Sequence, residues 1–275
     1  AVGTFAPVIE IWNLDVIDPL EPTASLGGED EAARGKGKKG KKGKAKGKAK
    51  GNIGPDGGCY KVGSHTDSVM GLHWNAQYRQ ALASCSADHT VKVWDVTVQS
   101  CLSTFTHHRD KVQSVKWHPQ VASLLATGGY DASVCLLDCL APPENNVVAQ
   151  WNMSSIVDVA TGAAVPASSS ADIESLHWNP FNEHELFASL ESGFVVCMDR
   201  RLPSKPSYAF QAHSKTVSQL AFSKQVPGML TTASVDKTVK IWDLFAAGAG
   251  PEPAGRAPPK CVAYKTMGVG RLLAL

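Results

Sequence analysis

Three segments of this chain keep one internal ruler. His65, Asp88 and Trp94 are separated by 23 and 6 residues, and His108, Asp131 and Leu137 repeat both spacings. His213, Asp236 and Trp242 repeat them again. A recurring pair of spacings, carried by the same residue types, marks a structural repeat. A repeat of this length is one supersecondary unit that buries its apolar face only against its neighbours. The fold is thereby bounded before any chemistry is considered, and the functional question moves from an active site toward a surface.

Each unit opens near the histidine with a short alternating strand ending in an aromatic. These strands are SVMGLHW to Trp74, KVQSVKW to Trp117, DIESLHW to Trp178 and TVSQLAF to Phe222. Period-two alternation predicts sheet strands whose two faces are unequally buried. Second strands follow (ALASC, LLATG, LFASL, LLTTA). Third strands end at Trp94-Asp95, Leu137-Asp138, Met198-Asp199 and Trp242-Asp243. The first-strand aromatic precedes the third-strand anchor by 20 residues in all four. Weaker fourth strands read CLSTF, VVAQW, YAFQA and CVAYK. Four short strands per unit, with Trp-Asp closing the third, is similar to the WD40 β-propeller pattern. The expected fold is all-β: a WD40 propeller, seven-bladed in the full protein, with four complete blades and two partial ones here.

The ruler residues have physical work inside a small blade. The pattern predicts that histidine donates to aspartate. Ser84, Thr127 or Thr232, each four residues before the aspartate, and the tryptophan indole complete the chain. Such a network specifies a conformation only if every member is paired. The expected brace residues are His65, Ser84, Asp88 and Trp94; His108, Thr127 and Asp131; and His213, Thr232, Asp236 and Trp242. His65, Asp88 and Ser84 also resemble a catalytic triad, but threefold repetition fits bracing and no catalytic residue is expected. The third complete unit departs, with Ser169, Ser192 and Met198 at the ruler positions and Gly193 in the turn.

The same ruler divides the chain. A partial blade covers 1–26, where Trp12-Asn13 takes the Trp-Asp position, and a basic insertion covers 27–59. Blades at 60–106 and 107–151 precede a second insertion at 152–171. Blades at 172–211 and 212–265 lead to a partial blade at 266–275. Ragged ends imply a longer parent chain, because a propeller removes its edges only by closing. Both insertions are expected on the face that carries the histidines.

Charge is unevenly placed. The chain has 27 basic and 25 acidic residues, and ten of the basic ones fall within 34–50, which has no acid. They are Arg34, Lys36, Lys38, Lys39, Lys41, Lys42, Lys44, Lys46, Lys48 and Lys50. The body is therefore acidic and the tract strongly basic. Lys and Gly without an apolar stripe cannot fold alone. Readings of the tract are nuclear or nucleolar targeting with or without RNA contact, a solubilising loop, DNA contact and membrane contact. Its Gly-Lys repeats offer no arginine forks and no aromatics, so they would bind phosphate without reading bases. No Ser or Thr follows any Gly-Lys, which excludes a P-loop.

Seven scattered cysteines lack a framework and suit a reducing compartment. Cys135 and Cys139 have no second ligand pair, so neither metal nor cofactor is expected. No run of 18 apolar residues is present, and the start carries no leader pattern.

PVIEIWNLDVIDPLEP at 7–22, the Lys-rich run, HTDSVMGLHWN at 65–75, ASVDKTVKIWDL at 233–244 and YKTMGVGRLLAL at 264–275 together resemble the periodic tryptophan protein 1 family. The IDPLEP stretch is the most specific, because blade geometry does not require it. The resemblance implies a nucleolar, non-enzymatic ribosome biogenesis factor. It implies partners among ribosome assembly proteins and pre-rRNA in early large-subunit (60S) precursors, with no membrane and no small-molecule substrate. A chromatin reader that binds histones and regulates rRNA gene transcription is the alternative. A cytoplasmic structural subunit fits the tract and the 7–22 stretch less well.

Overall fold

The computed structural model describes residues 1–13, 15, 21–30, 52–53, 58–162, 171–203, 205–245 and 258–268. The chain divides into two compact units, Ala1–Val112 and Gln113–Leu275.

The first unit begins with β1 (Val2–Gly3), β2 (Val8–Ile11) and β3 (Ala24–Gly27), which form a three-stranded sheet in that order. A two-stranded ladder follows, β4 (Asn52–Ile53) with β5 (Cys59–Tyr60). A four-stranded meander then runs through β6 (Val69–Trp74), β7 (Ala81–Ser86), β8 (Val91–Asp95) and β9 (Ser100–Phe105). Ile9 and Leu26 of the first sheet pack with Val69, Leu82 and Trp94 of the meander.

Three more four-stranded antiparallel meanders follow. One contains β10 (Val112–Trp117), β11 (Leu124–Gly129), β12 (Ser133–Asp138) and β13 (Val147–Asn152). The next contains β14 (Ile173–Trp178), β15 (Glu185–Leu190), β16 (Phe194–Asp199) and β17 (Tyr208–Gln211). The last contains β18 (Val217–Phe222), β19 (Met229–Ser234), β20 (Thr238–Asp243) and β21 (Lys260–Thr266). The core lies between successive sheets. Leu136, Trp151 and Met153 meet Leu176, Leu186 and Met198 in one layer, and Phe187 and Phe210 meet Phe222 and Trp242 in the next.

The middle strands β11, β12, β15 and β16 are buried along almost their whole length. Strands covered on both faces read as continuous apolar runs, which is why LLATG and FVVC carry no alternation. Outer strands such as β9 alternate instead.

One expectation is corrected. Among the described residues every sheet is open, and none closes on itself or is completed by a strand from elsewhere in the chain. The closed seven-bladed propeller read from the repeat gives way to a series of open WD-type antiparallel sheets. The ruler encodes contacts within a unit, between residues at most 29 apart, and holds no information on closure. The proposed last partial blade at 266–275 falls mostly outside the described residues.

The turn between second and third strands shows what the ruler's aspartate does. The residue after it has a left-handed backbone in each unit: His89 (φ 67), Ala132 (φ 56), Gly193 (φ 89) and Lys237 (φ 70). Non-glycine residues rarely adopt that conformation. In three turns the aspartate Oδ1 accepts the N–H two residues on, from Thr90 (2.9 Å), Ser133 (3.2 Å) and Thr238 (2.9 Å). That hydrogen bond closes an Asx turn and offsets the backbone strain. Where Ser192 replaces the aspartate, Gly193 relieves the strain by having no Cβ.

Candidate functional site

The ruler residues of the blade at 60–106 form one continuous hydrogen-bonded chain. Trp94 Nε1 donates to Ser84 Oγ (2.8 Å), and Ser84 Oγ meets His65 Nε2 (2.7 Å). His65 Nδ1 meets Asp88 Oδ2 (3.0 Å). Asp88 Oδ2 also accepts the Thr66 N–H (2.9 Å), and its Oδ1 accepts the Thr90 hydroxyl (2.6 Å). These partners assign the imidazole as the neutral tautomer with the proton on Nδ1. The serine then donates to Nε2 and accepts from the indole. Burial holds His65 below its ordinary value, against the pull of Asp88. Burial alone would raise Asp88, but its hydrogen bonds to His65, Thr90 and Thr66 outweigh that and lower it.

The blade at 212–265 repeats this geometry. Trp242 Nε1 donates to Thr232 Oγ1 (3.0 Å), which meets His213 Nε2 (2.7 Å), and His213 Nδ1 meets Asp236 Oδ2 (3.0 Å). The blade at 107–151 differs. Leu137 offers no indole N–H, and Thr127 Oγ1 donates to the Cys135 carbonyl (3.4 Å). Asp131 accepts from the Ser133 hydroxyl (2.7 Å). Thr127 and Asp131 belong to the second unit, while the buried His108 belongs to the first.

This geometry decides between brace and triad in the blade at 60–106. The Ser84 hydroxyl is fully buried (0% exposed) and both its donor and its acceptor capacity are used. A nucleophile must reach a substrate carbonyl, and this one cannot. The sequence reading missed Thr66, Thr90 and Thr238 as members of the braces. The Asp-x-Thr/Ser spelling at 88–90, 131–133 and 236–238 was the available signal.

Arg34 through Lys50 lie outside the described residues, while Asp30 before them and Cys59 after them are described. Asp30 N–H donates to the Cys59 carbonyl (2.8 Å), Lys61 N–H donates to the Gly28 carbonyl (3.0 Å), and Glu29 pairs with Tyr60. The chain therefore leaves for the basic insertion and returns from it through a hydrogen-bonded neck. Beside the neck is a cleft of about 640 Å³, lined in part by Phe5, Gly28, Glu29, Lys61 and Asp67. No described helix is long and apolar enough to cross a membrane. All seven cysteines are free thiols.

His118 is a second kind of tie, invisible in the sequence. Its Nδ1 accepts the N–H groups of Gln120 (3.1 Å) and Val121 (2.9 Å), and its Nε2 donates to the Glu183 carbonyl (2.9 Å). It thus joins the loop after β10 to the loop before β15. Four histidines, His65, His118, His177 and His213, are held below the ordinary value of 6.5, first by burial. Each must stay neutral in the fold and can charge on unfolding. Their contribution is complete above about pH 6.5 and is lost as pH falls below it. Asp88 and Asp236 are depressed below 3.8, so their contribution holds above that pH and is lost below it. Urea midpoints should fall between pH 7.5 and 5.5, and a flat profile would contradict neutral buried histidines.

These open four-stranded sheets, two of which end the third strand in Trp-Asp, resemble WD repeats. The WD domain, G-beta repeat family matches residues 57–95, 99–138 and 204–243. The chain is 34% identical to periodic tryptophan protein 1 of Saccharomyces cerevisiae, over 88% of this chain and 38% of that protein. It is 28% identical to the periodic tryptophan protein 1 homolog of Drosophila melanogaster, over 88% of this chain and 44% of that protein. It is also 28% identical to histone acetyltransferase type B subunit 2 of Debaryomyces hansenii, over 67% of this chain and 43% of that protein. The chain thus spans less than half the length of each of these relatives.

Proposed function

We propose that this chain belongs to a non-enzymatic nucleolar scaffold in ribosome biogenesis, which assembles early large-subunit precursors and supports rRNA processing. The observation that carries the reading is the likeness to periodic tryptophan protein 1 across 88% of the chain in two organisms. The role is that implied by the sequence resemblance. The fold suits it, because the repeated polar clusters at His65 and His213 are spent on bracing and leave the surfaces to meet partners. The hydrogen-bonded neck adds a fixed base for the basic segment, whose lysines would meet pre-rRNA phosphates and release counterions.

The test is made in cells with the full-length protein. Depletion should cause large-subunit rRNA precursors to accumulate. Deleting 34–50 should reduce co-sedimentation with pre-ribosomes and nucleolar location. If 6–10 lysines contact phosphate, in vitro RNA affinity should fall about 10³-fold or more between 50 and 200 mM salt. Normal rRNA processing after depletion removes the assembly role. Full particle occupancy without 34–50 removes the role of the tract.

A second reading, a chromatin regulator of rRNA genes that binds histones, is favoured by one further observation. The Tyr130 hydroxyl donates to Glu174 (3.4 Å), and burial together with Glu191 and Asp172 raises Glu174. This acidic corner matches a basic tail in charge, as does the likeness to the histone acetyltransferase subunit. A histone-peptide array separates the two, since a tight, modification-dependent hit supports the second reading and silence removes it.

A further inference from the structure

The outer edges of the four-stranded sheets are treated differently. In three of them the fourth strand carries a bulge. Trp94 pairs with Cys101 and Val93 with Ser103, which leaves Leu102 unpaired. The same slip leaves out Val148 in β13 and Val262 in β21. β17 has no slip. Its edge is covered by the chain itself: Val159 N–H donates to the Ala209 carbonyl (2.8 Å), and Asp158 bridges Ala209 in parallel. The covering stretch, residues 156–159, reads Ile-Val-Asp-Val, and Ile156 and Asp158 are buried in it.

β21 occupies the same place in the next sheet, and among the described residues nothing pairs with its outer edge. It runs for seven residues, of which only Cys261 is even partly covered. Val262 and Tyr264 are 53% and 72% exposed. Lys260 and Lys265 are exposed and join no ion pair among the described residues.

We propose that the outer edge of β21 takes an extended segment of a partner protein that alternates aliphatic and acidic residues, added as a further strand. Three observations select this occupant. An edge strand presents unpaired N–H and C=O groups that an extended chain satisfies. Val262 and Tyr264 supply apolar contact, while the two lysines attract acid. They also oppose a second copy of the same edge, since like charges across a ladder repel. Finally, the chain already places an aliphatic-acidic segment on the corresponding edge of the neighbouring sheet. The inference names one docking element within the scaffold reading and rests on it.

The test uses the whole 275-residue chain. The probe is a capped peptide of sequence Ser-Ile-Val-Asp-Val-Ala-Thr, that of residues 155–161. Amide hydrogen exchange followed by mass spectrometry should show slowing at 260–266 and none at 100–105. The double substitution Lys260→Glu, Lys265→Glu should weaken the peptide about tenfold. A peptide with Lys in place of Asp should bind that variant and not the parent. Both lysines are exposed, so circular dichroism should match the parent. Slowing confined to 208–211, slowing equal in β9, or binding indifferent to charge reversal overturns the proposal. The full-length charge-reversal variant is also assayed for rRNA processing. A processing defect on depletion, with no peptide protection of β21, removes this inference and leaves the scaffold reading. Peptide protection with normal processing after depletion does the reverse.

Discussion

His65→Ala is expected to destabilise the first unit by about 3–5 kcal/mol. The substitution does more than remove a ring. It strips Ser84 Oγ of its acceptor inside the core and takes the Nδ1 donor from Asp88. A buried group left without a partner costs about 1–3 kcal/mol. The stranded Ser84 hydroxyl, the lost bond to the Asp88 carboxylate and the space left by a side chain only 1% exposed add up to that range. Ser84→Ala strands the Trp94 indole N–H and the His65 Nε2 together, so it should approach the same loss. The measurement is urea unfolding at pH 7.5, read as a lower midpoint at constant slope. A loss below about 1 kcal/mol in both variants would mean that the repeated network braces nothing. His213→Ala tests the second unit in the same way, with Thr232 as the stranded hydroxyl.

Gly193→Ala is the second large effect, expected at about 3 kcal/mol or more. Two costs combine there. At φ 89 an alanine backbone is strained. A Cβ at that position would also overlap the carbonyl oxygen of His213 and crowd that of Lys215. Backbone atoms cannot rotate aside as a flexible side chain can. The matching turns provide the control, because Ala132 and Lys237 already sit at positive φ with a Cβ. Ala132→Gly should change stability by about 1 kcal/mol or less. The comparison is made by thermal unfolding of the two variants beside the parent. A tolerated Gly193→Ala would show that the turn relaxes away from the His213 and Lys215 carbonyls that follow β17.

Several elements could be read directly from the residues. The four meanders follow the ruler because each depends on contacts between residues close in the chain: alternating first strands, apolar second and third strands, and a tight turn between them. The His65 and His213 chains were legible for the same reason, since residue type and spacing together specify hydrogen-bonded partners. Gly193 was recognised as a departure, but its cause was hidden. That the residue after the aspartate is left-handed in every unit is a backbone property, and Lys237 does not announce it.

The misreadings share a physical origin. Closure into a seven-bladed ring depends on how sheets meet across long stretches of chain, and repetition within a unit has no term for that. The second insertion was expected to project from the histidine face. Its described part brings Asp158 and Val159 onto β17, and residues 163–170 lie outside the described residues. Nothing in its composition marks that edge as the target. His118 looks like an unremarkable loop histidine until Glu183, 65 residues later, is seen to supply its acceptor.

The sequence alone determined the repeat, the all-β class, the strands of each meander, the members of two braces and the split between an acidic body and a basic tract. These are local, and pattern and residue chemistry suffice to specify them. The tertiary structure decided that the sheets stay open, that Ser84 is buried and fully bonded, and that the basic insertion leaves through a hydrogen-bonded neck. It also decided which outer edge is covered and which, among the described residues, is left unpaired. Each of these depends on which distant surfaces exclude water from one another, a property of packing that residue order does not express.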